Sequence, residues 1–391
     1  MSCERGLTHC ERLAAAEQVR CELRPARVQV FLLEPRFTTA SRTAYGVSAR
    51  RHTIVVRLED ADGAVGWGEA AVAERPSYSA DTIQGTWHAL TDVLAPPILG
   101  QRFSGPADLV RSWDWVVGQN FARHALECAA WALTSSRLGQ SLSTLLGGVR
   151  GAIAVGESFG IKDSLGSLLT DIETRLAEGF VRIKVKIAPG RDLATLAAVT
   201  GQFPGVPLSA DGNCGYELDG GPWAQLDEFG MTMLEQPLGR DALVDSALLQ
   251  RGLRTALCLD ESVTSAGSAR SALALGSARI VNIKPARLGG LLASLAVHDL
   301  CVSRSVPVWC GGIGETGIGR AFNLALASLP GFTMPADMSP ARLFLAEDLV
   351  DPTYDLDPDG TIQVPASPGN GFTVHEARVA ACTSRAWESR A

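Results

Sequence analysis

The sequence predicts an α/β protein: a barrel of the (β/α)8 type, preceded by a smaller α+β domain. Three observations carry this. Residues 151–340 alternate short apolar strands with segments mostly long enough for a crossover helix, the texture of parallel strands. Eight such strands in about 190 residues suit a closed barrel near the short end of its range better than an open sheet. Residues 27–150 instead run strands first and helices afterwards, as a separate α+β unit does.

Residues 1–26 carry scattered charges and read as a mobile or helical appendage. From Arg27 the pattern turns strand-like, with Val28-Gln29-Val30-Phe31-Leu32 and then His52 to Leu58. Asp60-Ala61-Asp62-Gly63 supplies a hairpin turn into Val65-Gly66-Trp67-Gly68-Glu69. Helical periodicity follows over 79–94 and again over 121–137, where Ala122, Ala125, Leu126, Ala129, Ala130 and Leu133 form one apolar stripe. Barrel strands are expected at 153–158, 181–187, 206–211, 232–236, 256–260, 280–284, 306–310 and 332–335. Residues 341–391 alternate Asp/Pro/Gly turns with short apolar pieces and are expected to fold back on the first domain.

Composition narrows the function. The 391 residues hold 35 Lys+Arg against 42 Asp+Glu, a formal charge of −7 with no basic block, which argues against nucleic acid or an anionic membrane as partner. At 46% apolar the chain collapses rather than staying disordered. No stretch approaches about 18 uninterrupted apolar residues, and the N-terminal segment lacks a signal-peptide core. Nine cysteines without a C-x-x-C pair fit a reducing cytoplasm.

The chemistry lies in where ionisable residues fall. Lys186, Asp211, Glu235, Asp260 and Lys284 each end a predicted strand, at intervals of 25, 24, 25 and 24 residues. Each interval is one βα unit, so the five converge on one barrel rim, where barrel enzymes carry their active sites. A single acid at a strand end is ordinarily a helix cap, and a single lysine there a surface residue. Five in register are another matter. Three gathered carboxylates repel unless protonated or neutralised by a cation, and their oxygens suit a hard divalent ion such as Mg²⁺. Such an ion acidifies the α-proton of a bound carboxylate, and a lysine whose pKa is lowered by burial and a nearby cation can take that proton.

These residues carry a resemblance. Lys184-Val-Lys186, Asp211-Gly-Asn213, Glu235-Gln-Pro237, Asp260-Glu-Ser262 and Asn282-Ile-Lys-Pro-Ala-Arg287 together resemble the enolase superfamily, in its muconate-lactonizing subgroup. The run from Trp309 to Arg320, with the segment 325–335 after it, is similar to the o-succinylbenzoate synthase/N-acylamino-acid racemase family. The resemblance implies a modified (β/α)7β barrel under an α+β capping domain formed by the N-terminal segment and the C-terminal tail. It implies Asp211, Glu235 and Asp260 as ligands of Mg²⁺, with Mn²⁺ as substitute, and Lys186 and Lys284 as the acid/base pair. Lys184, Asn213 and Glu315 are the implied supporting residues. Arg42 and Tyr45, with Tyr78 further on, and Ser158, Gly312 and Gly314 are candidate contacts to a small carboxylate substrate. A cytoplasmic homo-oligomer is expected.

Some positions depart from that pattern. Ile313-Gly314 replaces larger apolar residues before Glu315, Cys214 stands for Ser or Thr, Gly212 for Ala, and Glu157 is an unusual acid that is expected to point outward or pair locally. Gly312-Ile-Gly-Glu-Thr-Gly317 matches a dinucleotide-binding pattern, but only 74 residues follow it, too few for a doubly wound domain. A turn whose N–H groups hold a substrate carboxylate is the better reading. The six histidines show no zinc spacing. Dipeptide epimerase and muconate cycloisomerase stay open as alternatives, although a single Asp337 stands where dipeptide epimerases carry Asp-x-Asp. A non-enzymatic barrel is the alternative outside this class.

Overall fold

The computed structural model describes residues 11–38, 41–43, 46–48 and 52–391, with the backbone alone for 41–43 and 46–48. The capping domain is built on a four-stranded antiparallel sheet in the order Thr383–Arg390, Pro25–Leu33, Thr53–Asp60, Val65–Ala70. The C-terminal strand therefore completes the cap at its edge, after the tail has first paired Thr361–Gln363 antiparallel with the start of the first barrel strand.

The helix Asn120–Leu138 lies across this sheet with its alanine stripe fully buried. Contact is close because the facing strand offers glycines. A Cβ on Gly68 would collide with the Ala125 carbonyl, and one on Gly66 with that of Ala129. The helix ends at Gly139, whose left-handed φ of 62° suits a residue without Cβ.

Residues 11–26 are helical in part, as expected, and the helix is packed on the barrel instead of mobile. The helix Arg12–Glu17 buries Arg12 and Ala16, and Ala16 joins the main barrel core. Leu13 N donates to Asp299 Oδ2 at 2.8 Å, tying the helix to Leu291–Ser303. A six-residue helix is too short for its apolar spacing to show in the sequence.

The barrel consists of Ala152–Phe159, Ile183–Lys186, Leu208–Asp211, Met233–Glu235, Leu257–Leu259, Ile280–Ile283, Val308–Cys310 and Ala336–Asp337. Each successive pair is parallel up to the seventh strand, and the eighth pairs with the first through Ala336 and Val155, so the sheet is nearly closed. A helix follows each of the first seven strands, the (β/α)7β arrangement. The eighth strand starts later than the expected 332–335. Pro335 has no N–H to give a ladder, so pairing begins just after it, and Phe332 makes only an isolated bridge to Val308. No disulfide forms among the described residues, and no helix of theirs is long and apolar enough to cross a membrane.

The two domains are joined by buried carboxylates of the cap. Glu127 accepts from Leu292 N at 2.9 Å, at the start of the barrel helix Leu291–Ser303, and from Trp131 Nε1 at 3.2 Å. Burial pushes its carboxyl up to about 7.

Two outcomes follow. Gly68→Ala, which drives a methyl group into helix backbone, should cost about 1–3 kcal/mol or more in urea denaturation, whereas Gly166→Ala, with open space around it, should be neutral or stabilising. Glu127 has a folded pKa above its unfolded value, so its contribution is full below about pH 4.5 and is lost as pH rises through about 7. Glu127→Gln should remove that part of the fall in stability, read as melting temperature from pH 4.5 to 8.

Candidate active site

Strand alternation sorts the barrel side chains into layers. Ile183, Val185, Leu208, Ala210 and Leu234 pack outward against the helices, which turns Lys184, Lys186, Ser209, Asp211 and Glu235 inward. The floor is apolar, made by Met233, Cys258, Ile280 and Trp309. Every charged inward residue lies above this plug, towards the C-terminal strand ends.

Directly above the floor, Arg182, Lys184 and Asp337 form a closed ionic layer. Asp337 receives Arg182 Nη2 at 2.5 Å and Lys184 Nζ at 2.6 Å. Both cations also lie over the Trp309 ring, at 5.1 and 4.7 Å from its centroid. Against the upward push of burial, Lys184 and Arg182 hold Asp337 far below the ordinary carboxylate range.

The rim above carries the five residues read from the strand-end register, and the structure brings them together. Lys186 Nζ lies 2.5 Å from Asp211 Oδ2, and Lys284 Nζ lies 2.7 Å from Asp260 Oδ2. Between these pairs sits Glu235, accepting from Lys184 Nζ at 2.7 Å and from Asn282 Nδ2 at 2.7 Å. The two lysines thus stand on opposite sides of a row of three carboxylates, all at most 1% exposed. Burial and the neighbouring Asp211 push Glu235 up to about 7. Asp260 is lowered instead: burial acts upward, but Lys284 and Arg287 outweigh it. Burial alone would lower Lys284, as the sequence suggested, yet Asp260 beside it holds the ammonium well above the ordinary lysine range.

The donor chemistry fits a hard cation. Three carboxylates converge with no nitrogen or sulfur ligand, and the buried Asn213 Oδ1 beside them has no hydrogen-bond partner. The backbone N–H of Asn213 already donates to Asp211 Oδ1 at 2.9 Å. Among the described residues no group of three acids, histidines or cysteines stands preassembled for a metal, and each rim carboxylate is engaged by a lysine.

The remaining candidates fall in different places. Ser158 is level with Lys184 in the sheet register, on the inward side. Gly312 and Gly314 lie in the turn after the seventh strand; a Cβ on Gly312 would sit 2.6 Å from Arg320 Nη1, and Gly314 has a φ of +84°. Glu315 does not face the rim cluster. It braces this turn from beneath, accepting from Ile313 N and Asn323 Nδ2 and pairing with Arg320 at 3.2 Å. Glu157 is level with the outward Ile183 and accepts from Ser339 Oγ at 2.6 Å, so it adds no charge to the barrel interior. Arg42 lies on the hairpin Ser41–Thr43 with Gly46–Ser48, and Tyr45 falls outside the described residues.

The sequence reading did not assign Arg182, Asn282 and Arg287, whose side chains complete this network. Arg182 and Asn282 lie two residues before Lys184 and Lys284, on the same strand faces, a signal that period-two alternation offers. Tyr78, from the cap, donates to Asp260 Oδ1 at 2.7 Å, and Arg287 bonds the same oxygen.

Known proteins resemble this chain in sequence and fold. Residues 27–147 match the family described as "Mandelate racemase / muconate lactonizing enzyme, N-terminal domain", and residues 168–378 match "Enolase C-terminal domain-like". The o-succinylbenzoate synthase of Geobacillus stearothermophilus is 44% identical over 338 residues, covering 86% of this chain and 90% of the relative. The chain belongs to the enolase superfamily, in its mandelate racemase/muconate lactonizing enzyme branch. The N-succinylamino acid racemase of Thermus thermophilus is 41% identical over 358 residues, 91% of this chain and 95% of that one. An enolase-superfamily structure from Listeria innocua superposes with a TM-score of 0.90 at 30% identity, covering 94% and 99% of the two chains. Within the branch this is therefore an enzyme of the o-succinylbenzoate synthase/N-succinylamino acid racemase type.

In this superfamily member Lys184 holds Glu235 and Asp337 at once. Lys184→Met would strand the buried Glu235 and leave Asp337 to Arg182 alone, and should cost about 3–5 kcal/mol in chemical denaturation. A loss under about 1 kcal/mol would show that the layer is not a coupled ionic unit.

Proposed function

We propose that the enzyme removes and returns the proton α to a substrate carboxylate, racemising N-succinyl amino acids or dehydrating the precursor of o-succinylbenzoate. The observation that carries this is the placement of Lys186 and Lys284 on opposite sides of Asp211, Glu235 and Asp260. Those three carboxylates would hold Mg²⁺. When bound, the ion neutralises them and stabilises the negative charge that deprotonation puts on the substrate carboxylate.

The protein's own residues divide the remaining work. In racemisation the neutral Nζ of one lysine takes the α-proton, and the ammonium of the other gives a proton to the opposite face. The next turnover in the same direction needs each lysine to re-equilibrate with solvent. In dehydration Lys186 takes the α-proton and gives it to the hydroxyl departing from the neighbouring carbon, which leaves as water, while Lys284 stays charged and stabilises the developing enediolate. Lys184, locked beneath by Glu235 and Asp337, keeps the carboxylate row charge-balanced.

Two features favour a substrate with an acylated amine and two carboxylates. Asp337, which stands where dipeptide epimerases carry Asp-x-Asp, is already committed to Arg182 and Lys184. Asp211, Glu235, Asp260 and Asp337 pair with Arg182, Lys184, Lys186, Lys284 and Arg287, and the buried Glu261 beside Asn213 brings the acids to five against five cations. With that balance, a divalent cation entering with a dianionic substrate adds no net charge.

The test is ¹H NMR in D₂O with an N-succinyl amino acid and Mg²⁺. α-Deuterium should appear in both enantiomers, and chelation of the ion should abolish it. Lys186→Ala and Lys284→Ala should each abolish racemisation and each retain exchange of only one, opposite, enantiomer. Absence of both α-exchange and dehydration in the wild-type enzyme would remove the assignment.

A further inference from the structure

A second buried carboxylate of the cap, Glu69, does what Glu127 does not. Its Oε1 accepts from Thr53 Oγ1 at 2.8 Å and from Thr316 N at 3.1 Å. Its Oε2 accepts from Thr316 Oγ1 at 2.7 Å and from Gly319 N at 2.8 Å. It is 1% exposed. Four donating groups from two segments, Thr53 in the cap and Thr316 with Gly319 at one barrel helix start, meet on one side chain.

Thr53 opens the strand that follows the hairpin bearing Arg42. Thr316 and Gly319 begin the helix Gly317–Ala327, immediately after the Gly311–Glu315 turn. Glu69 itself closes the strand Val65–Ala70, from which the chain runs on to Tyr78 and its bond to Asp260. The fit at the helix is tight: a Cβ on Gly319 would lie 2.8 Å from Glu69 Oε2. Glu127 also joins cap to barrel, but Leu292 N and Trp131 Nε1 converge on one of its oxygens, and neither of these donors belongs to a rim segment.

We infer that Glu69 is a positioning residue for substrate recognition, setting the cap's Arg42 hairpin and Tyr78 segment against the barrel's glycine-rich turn. This rests on the proposed function, with Arg42, Tyr78, Gly312 and Gly314 as the candidate contacts to its carboxylate substrate. Glu69 touches neither lysine, so its effect falls on binding of the substrate's acyl end and not on proton transfer.

Chemistry separates the two glutamates. At position 127 a glutamine amide oxygen can accept both donors. At position 69 a glutamine must turn an N–H towards donors, because both oxygens are occupied as acceptors. The test compares Glu69→Gln, Thr53→Val and Glu127→Gln at pH 8 with saturating Mg²⁺ and an N-succinyl amino acid. Glu69→Gln should raise KM about tenfold or more with kcat within about threefold, the signature of lost binding contacts. Thr53→Val, which cuts only the cap-side link, should raise KM by a smaller factor, and Glu127→Gln should leave both constants unchanged.

Amide hydrogen exchange supplies a readout independent of turnover. In Glu69→Gln the hairpin Ser41–Thr43 with Gly46–Ser48 and the start of Gly317–Ala327 should lose protection together, but not in Glu127→Gln. An unchanged KM in Glu69→Gln and Thr53→Val, or protection lost at one segment only, would overturn the inference. If the wild-type enzyme shows neither α-exchange nor dehydration, the proposed reaction fails, and joint or separate loss of protection then decides the role of Glu69.

Discussion

Everything above the barrel floor depends on one constraint: carboxylates withdrawn from water must each be matched by a cation. The barrel meets it in tiers. Asp337 and Lys184 balance each other just above Trp309, Glu235 leans on the same lysine, and Asp211 and Asp260 each hold a rim lysine. Removing a member from such a set exposes the rest to the cost of an uncompensated buried charge. In the proposed function, an ion held by this row of oxygens would displace Lys186 and Lys284 from their partners, and those two lysines would then exchange protons with a substrate.

The cap extends this logic across the domain boundary. Its glutamates meet backbone N–H groups at the starts of two barrel helices, where an acceptor is stabilised by unpaired donors and by the helix dipole. Tyr78 and Arg287 meet on Asp260, so the rim is completed from both domains. An antiparallel sheet whose edge strand comes from residues 383–390 makes the cap dependent on the far end of the chain.

Much of this was legible before any coordinates. Each βα unit spends a similar number of residues, so a repeat of 24–25 marked Lys186, Asp211, Glu235, Asp260 and Lys284 as neighbours on one rim. The (β/α) alternation and the return of the tail to the cap were visible for the same reason, since local patterning encodes them. What was hidden depends on closure. Asp337 meets Lys184 only because the eighth strand returns beside the first, more than 150 residues away in the chain. Glu69 looked like the end of an ordinary strand, and its four donors come from segments 16 and about 250 residues away. Glu157 looked unusual and proved to lie on the outward face, bonded to Ser339 from the distant end of the barrel, since one strand position decides which face a residue takes. The Arg12–Glu17 helix docks through side chains too few to make a periodic signal.

In the proposed reaction one substrate carbon sits between Lys186 and Lys284 while Asp211, Glu235 and Asp260 face the ion. A crystal structure with Mg²⁺ and an N-succinyl amino acid decides this. The ion should lie on those three carboxylates, with the two Nζ atoms on opposite faces of the α-carbon. An ion bound elsewhere, or both lysines on one face, would rule the reaction out.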